Sequence, residues 1–409
     1  GCKGLTSVTV SGTVKTIGQY AFSGCTSLKT AVIKNGVESI GFHTFQQCTA
    51  LESLTLPYAG LSIENVKNNT YALSTNLFSY GVPEGTYSAT GNGYNGVPKT
   101  LTSITITGGT RIPNSAFYGM SSLKTINLPN TITNIGSNAL YGCSSMTGIK
   151  LPNSLTTIED SAFNNCSSLK FENIIIPSTL TSIGNYAFAN CNGFTKLTVP
   201  GTIKTIGNYA FSGCKGLTSV TVSGTVKTIG NYAFNGCTLL KTAVIKNGVE
   251  SIGERTFSDC TALESLTLPY AGLSIENVKN NTYPLSTNLF NYWVPEGTYS
   301  TTGNSYYGVP KTLTSITITG GTRIPNSAFY GMSSLKTINL PNTVTNIGNN
   351  AVYGCSSMTG IKLPNSLTTI EDSAFNNCSS LKFENIIIPN TLISIGNYAF
   401  SGCKGLTSI

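Results

Sequence analysis

The chain has 409 residues, 40% of them hydrophobic, yet only 10% are charged, well below the ~25% usual for soluble domains. Its net charge of +8 comes from 24 Lys and Arg spread singly against 16 acids, which leaves no basic run or stripe to track nucleic acid. No stretch approaches the ~18 consecutive apolar residues of a membrane span, and the first residues lack the basic-then-apolar layout of a secretory leader.

Along the chain, a phenylalanine or an aliphatic substitute recurs at Phe22, Phe45, Phe117, Leu140, Phe163, Phe188, Phe211, Phe234, Phe257, Phe329, Val352, Phe375 and Phe400. Most steps are 23 residues, two are 25 and two are 72. Self-similarity at so short a period marks a solenoid. The unit FSGCKGLTSVTVSGTVKTIGNYAF at 211–234 shows the parts in order: a small-residue turn with Cys214, the strand signal Leu217-x-x-Val220-x-Val222, a Gly turn, Val226-x-x-Ile229-Gly230 and the next Ala-Phe. Alternation directs the apolar side chains inward and Ser and Thr outward. One unit cannot bury its own apolar face. Stacking at the ~4.8 Å strand spacing joins neighbouring units into one core. The expected fold is an α/β repeat solenoid over 1–409, long and curved or twisted, with short parallel strands on one face and short helical turns on the other.

Regular units run to residue 56, an enlarged loop occupies 57–100, and regular units resume over 101–191. Residues 192–212 then add most of one extra unit. The order repeats with a second enlarged loop at 269–312. Aligned without gaps, 1–191 and 213–403 differ at 20 of 191 positions. This defines superrepeat 1 at 1–212 and superrepeat 2 at 213–401. The motif IGNYAFSGCKGL recurs unchanged at 206–217 and 395–406, so units are gained or lost whole. Residue 1 falls inside a unit, which implies an internal window of a longer protein or a processed fragment.

The stretch LKTINLPNTITNIGSNALYGCSSM at 123–146, its relatives across nearly the whole chain, and the tyrosine-rich interruption followed by VPKTLTSITITGG at 97–109 and 309–321 resemble the Treponema-type leucine-rich repeat of BspA-like bacterial surface proteins. The resemblance implies a leucine-rich-repeat solenoid at the cell surface, acting as an adhesin toward extracellular-matrix proteins, host cells or other bacteria. It supplies no catalytic residues.

The residues themselves point away from catalysis. All twelve cysteines, from Cys2 to Cys403, fall in one register, three residues after the Phe-type position where that position lies within the chain. There is no C-x-x-C pair and one histidine in total, which excludes the usual metal spacings. Equivalent side chains in stacked copies point in parallel, against disulfide geometry, so the cysteines are expected to be buried, reduced packing residues. His43 is replaced by Arg255 in the second copy and reads as a surface side chain. Glu159 and Asp160, echoed by Glu371 and Asp372, are expected to start the convex helical turn rather than hold calcium. There is no nucleophile elbow, phosphate loop or zinc motif. The expectation is no enzyme, no cofactor and no metal. Sequons at Asn68, Asn165, Asn280 and Asn377 carry little weight in so Asn- and Thr-rich a chain, two of them having a register cysteine in the middle position.

Two surfaces remain. The enlarged loops hold 11 of the 20 tyrosines and the only tryptophan, and within each LSTNLF still resembles the Ala-Phe turn. Candidate binding residues are Tyr80, Tyr87, Tyr94, Tyr292, Trp293, Tyr299, Tyr306 and Tyr307, since Tyr and Trp on scaffolded loops anchor proteins and sugars. The alternative is that these rings pack the loop onto its own scaffold. The second surface is the outward strand face, where pairs such as Ser7 and Thr9, Ser53 and Thr55, or Ser219 and Thr221 align hydroxyls. Val32, Asn127 and Lys150 interrupt the rows, against an ice-binding face. The functional expectation is a surface-exposed adhesive solenoid for matrix, host or microbial surface proteins or glycans. Its rival is an extracellular fibre or spacer built by head-to-tail self-association, because GCKGLTSI at 402–409 repeats GCKGLTSV at 1–8 apart from one methylene.

Overall fold

The computed structural model describes residues 1–67, 73–78, 87–90, 93–170, 176–279, 285–290, 299–302, 305–382 and 386–406. It comprises two compact units, Gly1–Thr195 and Lys196–Ile409. Each is a parallel-strand β-solenoid of stacked coils.

In the first unit Ser7–Val10, Thr30–Ile33, Ser53–Leu56, Ser103–Ile106 and Thr125–Asn127 lie side by side in one parallel sheet. In the second the corresponding sheet runs Lys196–Val199, Ser219–Val222, Thr242–Ile245, Ser265–Leu268, Ser315–Ile318 and Thr337–Asn339. The repeat sets the register, with Ser7 opposite Thr30 and Thr30 opposite Ser53. Alternation works as the sequence implies. Leu54 and Leu56 are buried while Ser53 and Thr55 stay half-exposed. After a tight turn each coil adds a two-residue strand, such as Thr157–Ile158 beside Ser182–Ile183, and these form a second, narrower strip.

The Ala-Phe side differs from the expected helical turns. Among the described residues the only helices are four of five residues each, Ile63–Lys67, Leu73–Leu77, Ile275–Lys279 and Leu285–Leu289, all inside the enlarged loops. The regular Ala-Phe segments are turns, and the reason is conformational. Each places a left-handed residue two before the phenylalanine and another two after it, as at Tyr20 (φ 58°) and Gly24 (φ 69°) around Phe22, or Tyr209 (φ 55°) and Gly213 (φ 68°) around Phe211. A left-handed non-glycine residue costs roughly 1–2 kcal/mol and breaks an α-helix. In exchange, alternate N–H groups aim along the stack. Tyr209, Phe211 and Gly213 donate to the carbonyls of Asn231, Ala233 and Asn235 in the next coil, at 2.9, 2.8 and 2.7 Å. The turn side is thus a third inter-coil ladder.

Side chains extend that ladder. Asn208 Oδ1 accepts the Asn231 N–H at 2.8 Å, and Asp160 Oδ1 accepts the Asn185 N–H at 2.7 Å. Asp160 therefore links coils and does not start a helix. Its neighbour Glu159 staples three coils. One oxygen accepts Arg111 at 2.6 Å and Asn134 at 2.9 Å, and the other accepts the Ser137 backbone N–H at 3.0 Å. Glu371 repeats the arrangement with Arg323, Asn346 and the Asn349 N–H.

Inside, phenylalanines stack coil on coil, Phe163 on Phe188 at 5.1 Å and Phe211 on Phe234 at 5.6 Å between ring centres. Such aromatic pairs add about 0.5–1.5 kcal/mol beyond their buried area. All twelve cysteines are free, and eleven are buried. They do more than fill space. The Cys48 thiol donates to the Phe22 carbonyl at 3.1 Å and Cys237 to the Phe211 carbonyl at 3.3 Å, each reaching one coil back.

The enlarged loops leave the main sheet whole. Ser53–Leu56 pairs directly with Ser103–Ile106, and Ser265–Leu268 with Ser315–Ile318. In between, Phe45 N–H donates to the Leu77 carbonyl at 3.1 Å, as Phe117 N–H does to Ala139 in a regular coil, and Phe78 is fully buried. The LSTNLF segment thus fills the Ala-Phe position.

Two predictions follow from these links. Burial pushes the Cys143 and Cys355 thiols up to about 12, so between roughly pH 9 and 12 the folded chain keeps protons that the unfolded chain releases. Stability is then flat from about pH 7 to 8.5 and falls above about pH 9, by about 1.4 kcal/mol per pH unit for each such thiol, and Cys143→Ala flattens the fall measured by thermal melting. A slope unchanged by that substitution would contradict the assignment. Glu159→Gln, at a pair only about a quarter exposed, should cost about 1–3 kcal/mol in urea unfolding. Glu38→Gln, whose partner Lys15 and itself are each 64% exposed, should cost less than about 0.5 kcal/mol. Equal losses would remove Glu159 from its stapling role.

Candidate interaction surfaces

The outward face of the main sheet carries the hydroxyl rows. Ser7, Thr30, Ser53, Ser103 and Thr125 occupy one row in the first unit, and Thr9, Val32, Thr55, Thr105 and Asn127 the next. The rows are partly satisfied within themselves. Ser53 donates to Thr30 at 3.3 Å and the Asn127 amide to Thr105 at 3.2 Å. A face of exposed, mutually bonded hydroxyls and amides on a fixed backbone offers many shallow polar contacts and no deep one.

Each enlarged loop builds an antiparallel hairpin, Tyr87–Thr90 with Gly93–Pro98 in the first unit and Tyr299–Thr302 with Ser305–Pro310 in the second. Five of the eight candidate residues lie on these strands: Tyr87 is opposite Pro98, Tyr94 is opposite Ala89, Tyr299 is opposite Pro310, Tyr306 is opposite Thr301, and Tyr307 follows. Tyr80, Tyr292 and Trp293 lie outside the described residues. The same holds for the sequon residues Asn68 and Asn280. The other two sequon residues are engaged, Asn165 donating to the Tyr141 hydroxyl at 2.9 Å and Asn377 to the Tyr353 hydroxyl at 3.0 Å.

A third surface escapes sequence reasoning. On the turn side, tyrosines of successive coils stack, Tyr118 on Tyr141 and Tyr330 on Tyr353 at 4.9 Å, and Tyr209 on Tyr232 at 4.6 Å. In the second unit Arg255 lies over the Tyr232 ring, 5.7 Å from its centre, and donates to its hydroxyl at 2.5 Å. His43 is the counterpart in the first unit. It is half-buried and not a free surface side chain, its ring stacked on Tyr20 at 5.3 Å and its Nδ1 2.9 Å from the Phe78 carbonyl. The signal was available in the recurrent N-Y-A-F and in Tyr-Gly after the Phe-type residue. Spacing by whole repeats puts identical side chains ~4.8 Å apart, which is stacking distance for rings.

Among the described residues no three His, Cys, Asp or Glu side chains group as a metal site would require, and no helix is long and apolar enough to cross a membrane. Burial raises the Cys143 and Cys355 thiols away from nucleophilic thiolate, and Glu159 is saturated by its staple.

Comparison with known proteins agrees with this architecture. The family described as BspA type leucine rich repeat region matches in six copies, over residues 1–106, 94–171, 168–290 and 300–409. No curated protein matches the sequence. Among solved structures, a leucine-rich repeat protein from Bacteroides ovatus is 25% identical, with 80% of this chain and 90% of that chain covered and a TM-score of 0.38. The Treponema pallidum leucine-rich repeat protein is 28% identical, with 45% and 87% covered and a TM-score of 0.34. A leucine-rich cell surface protein from Faecalibacterium prausnitzii is 24% identical, with 80% and 93% covered and a TM-score of 0.37. Because the family match spans nearly the whole chain, the protein belongs to the BspA-type leucine-rich-repeat family.

Proposed function

We propose that the chain is a non-catalytic binding solenoid displayed at a cell surface, engaging extracellular-matrix proteins, host or microbial surface proteins, or their glycans. The observation that carries this is the placement of the hairpins. Twice, an insertion rich in tyrosine leaves between two strands that still pair directly, Ser53–Leu56 with Ser103–Ile106 and Ser265–Leu268 with Ser315–Ile318. An insertion that leaves the scaffold's sheet undisturbed is free to carry contact residues, and loops on rigid frames are where binding concentrates. Aromatic anchors supply most interface energy, and two copies in one chain allow a bivalent grip on a repetitive partner. The hydroxyl-lined sheet face adds weak polar contacts.

Six of the 20 differences between the copies fall in the enlarged loops. Gly81 is replaced by Trp293 and Asn95 by Tyr307. In solid-phase and solution binding to matrix proteins, the double substitution Tyr292→Ser and Trp293→Ser should weaken affinity about tenfold or more while leaving the melting temperature unchanged. Undiminished binding by that variant would remove Tyr292 and Trp293 from the interface.

A further inference from the structure

Each solenoid unit has a cavity of its own that the repeat explains. In regular coils the residue three before the second-strip isoleucine is a buried aliphatic: Val37, Ile132 and Leu155 in the first unit, Val226, Val249 and Val344 in the second, all at most 1% exposed. Stacked, they form a continuous apolar column. At Gly109 and Gly321 the column loses its side chain. Both glycines are exposed and left-handed (φ 85°), and a Cβ built on either would meet nothing nearer than the Cβ of Tyr58 or Tyr270, at 3.8 and 3.9 Å.

The coil just before is the enlarged one, which turns away after Pro57 or Pro269 and adds no regular second-strip strand. Ser251–Ile252 has a single antiparallel bridge to Ser274 in that direction, and Ser39–Ile40 has one to Ser62. Asn35 and Asn247 reach past the enlarged coil to the one beyond. Thr107 donates to Asn35 at 2.6 Å, and the Asn247 amide donates to the Thr319 carbonyl at 3.1 Å. Below that bridge opens a cavity of about 320 Å³ walled by Val249, Pro269, Tyr270 and Val278 beside Gly321, and its counterpart of about 350 Å³ beside Gly109 is walled by Val37, Pro57, Tyr58 and Ile63 together with Lys15 and Glu38. Such volumes lie at the lower end of the ~300–1,000 Å³ typical of ligand sites.

We propose that each cavity is a docking slot for a branched aliphatic residue of a protein partner, with the peptide on either side of it. The chemistry of the occupant is read from the column, since every neighbouring coil places Val, Ile or Leu at this level. The glycine backbone and Thr322 beside Gly321 suit the flanking peptide, and the mainly apolar walls of the second-unit cavity disfavour a charged or sugar ligand. The slots rest on the protein-binding function proposed above only in taking their ligand from a protein. They are separate from the tyrosine hairpins, and Tyr292→Ser with Trp293→Ser should leave them unaltered.

The test is an amide-resolved NMR titration of the 409-residue chain with N-acetyl-leucine-N-methylamide, against N-acetyl-lysine-N-methylamide and N-acetylglucosamine. Saturable shifts at Gly248, Gly320 and Gly321, and at Gly36, Gly108 and Gly109, are expected with the leucine probe, and those at Gly248, Gly320 and Gly321 should be about tenfold weaker with lysine. Gly321→Val supplies the missing branch itself and should abolish the response in the second unit while the first responds as before. If the left-handed backbone there resists a side chain and the variant's melting point falls, Val249→Leu fills the same space from an ordinary backbone and should weaken the second-unit response alone. No saturable shift with leucine, equal response to lysine in the second unit, a response to the sugar alone, or indifference to Val249→Leu would each overturn the proposal.

Discussion

The backbone of every coil is completed by the coil beside it, and the rest of the structure depends on that exchange. A 23-residue coil is too short to close its own hydrogen bonds around an apolar centre. Its strand donates to the previous coil and accepts from the next; its turn runs the other way, donating to the next coil and accepting from the previous one, and Asn208, Glu159 and Cys237 add side-chain links between coils. An unpaired buried amide costs about 1–3 kcal/mol, so a coil of the wrong length forfeits several at once. This is why the steps are 23 or 25 residues, and why the 72-residue steps preserve the ladder by leaving and rejoining it in register.

The same constraint shapes what the protein can offer a partner. Residues inside the ladder cannot vary without cost to two neighbours. Variation is therefore pushed to outward strand positions, to the turn tyrosines and to insertions that leave the ladder. The break in the second strip shows the cost of an insertion locally: an aliphatic position goes unfilled, Asn35 and Asn247 bridge the gap, and a cavity is left beneath.

Much of the fold was legible because the repeat prints its own register. The Phe and Cys positions, the inward Leu-x-x-Val-x-Val pattern and the enlarged loops all follow from spacing. The helical turns expected on the convex side do not form, and the sequence hid this for a physical reason. Tyr, His, Ser, Asn and Arg occupy the left-handed position before the phenylalanine, where a glycine would have announced it. Glu159 was misread for a related reason. Its partners lie 22 to 48 residues away and meet it only once three coils are stacked. Burial of the cysteines was foreseeable from their register, but their bonds to the preceding coil's carbonyls needed coordinates. Of the candidate binding surfaces, the hairpin tyrosines and hydroxyl rows were visible in composition, whereas the stacked tyrosines of the turns were visible only as an unremarked repeat.

The dependence of each coil on a neighbour in register can be tested by removing chain. Deleting residues 212–234 takes out one whole period and joins Phe211 to the Asn235-Gly-Cys turn of the next coil, while deleting 212–222 removes a strand and leaves half a coil. Thermal melts of both variants beside the parent chain give the comparison. The whole-period deletion should still melt cooperatively, within about 10 °C of the parent, and the half-coil deletion should melt broadly and much lower although it removes fewer residues. If the shorter deletion kept the sharper and higher transition, coil-to-coil registry would not be what holds the protein together.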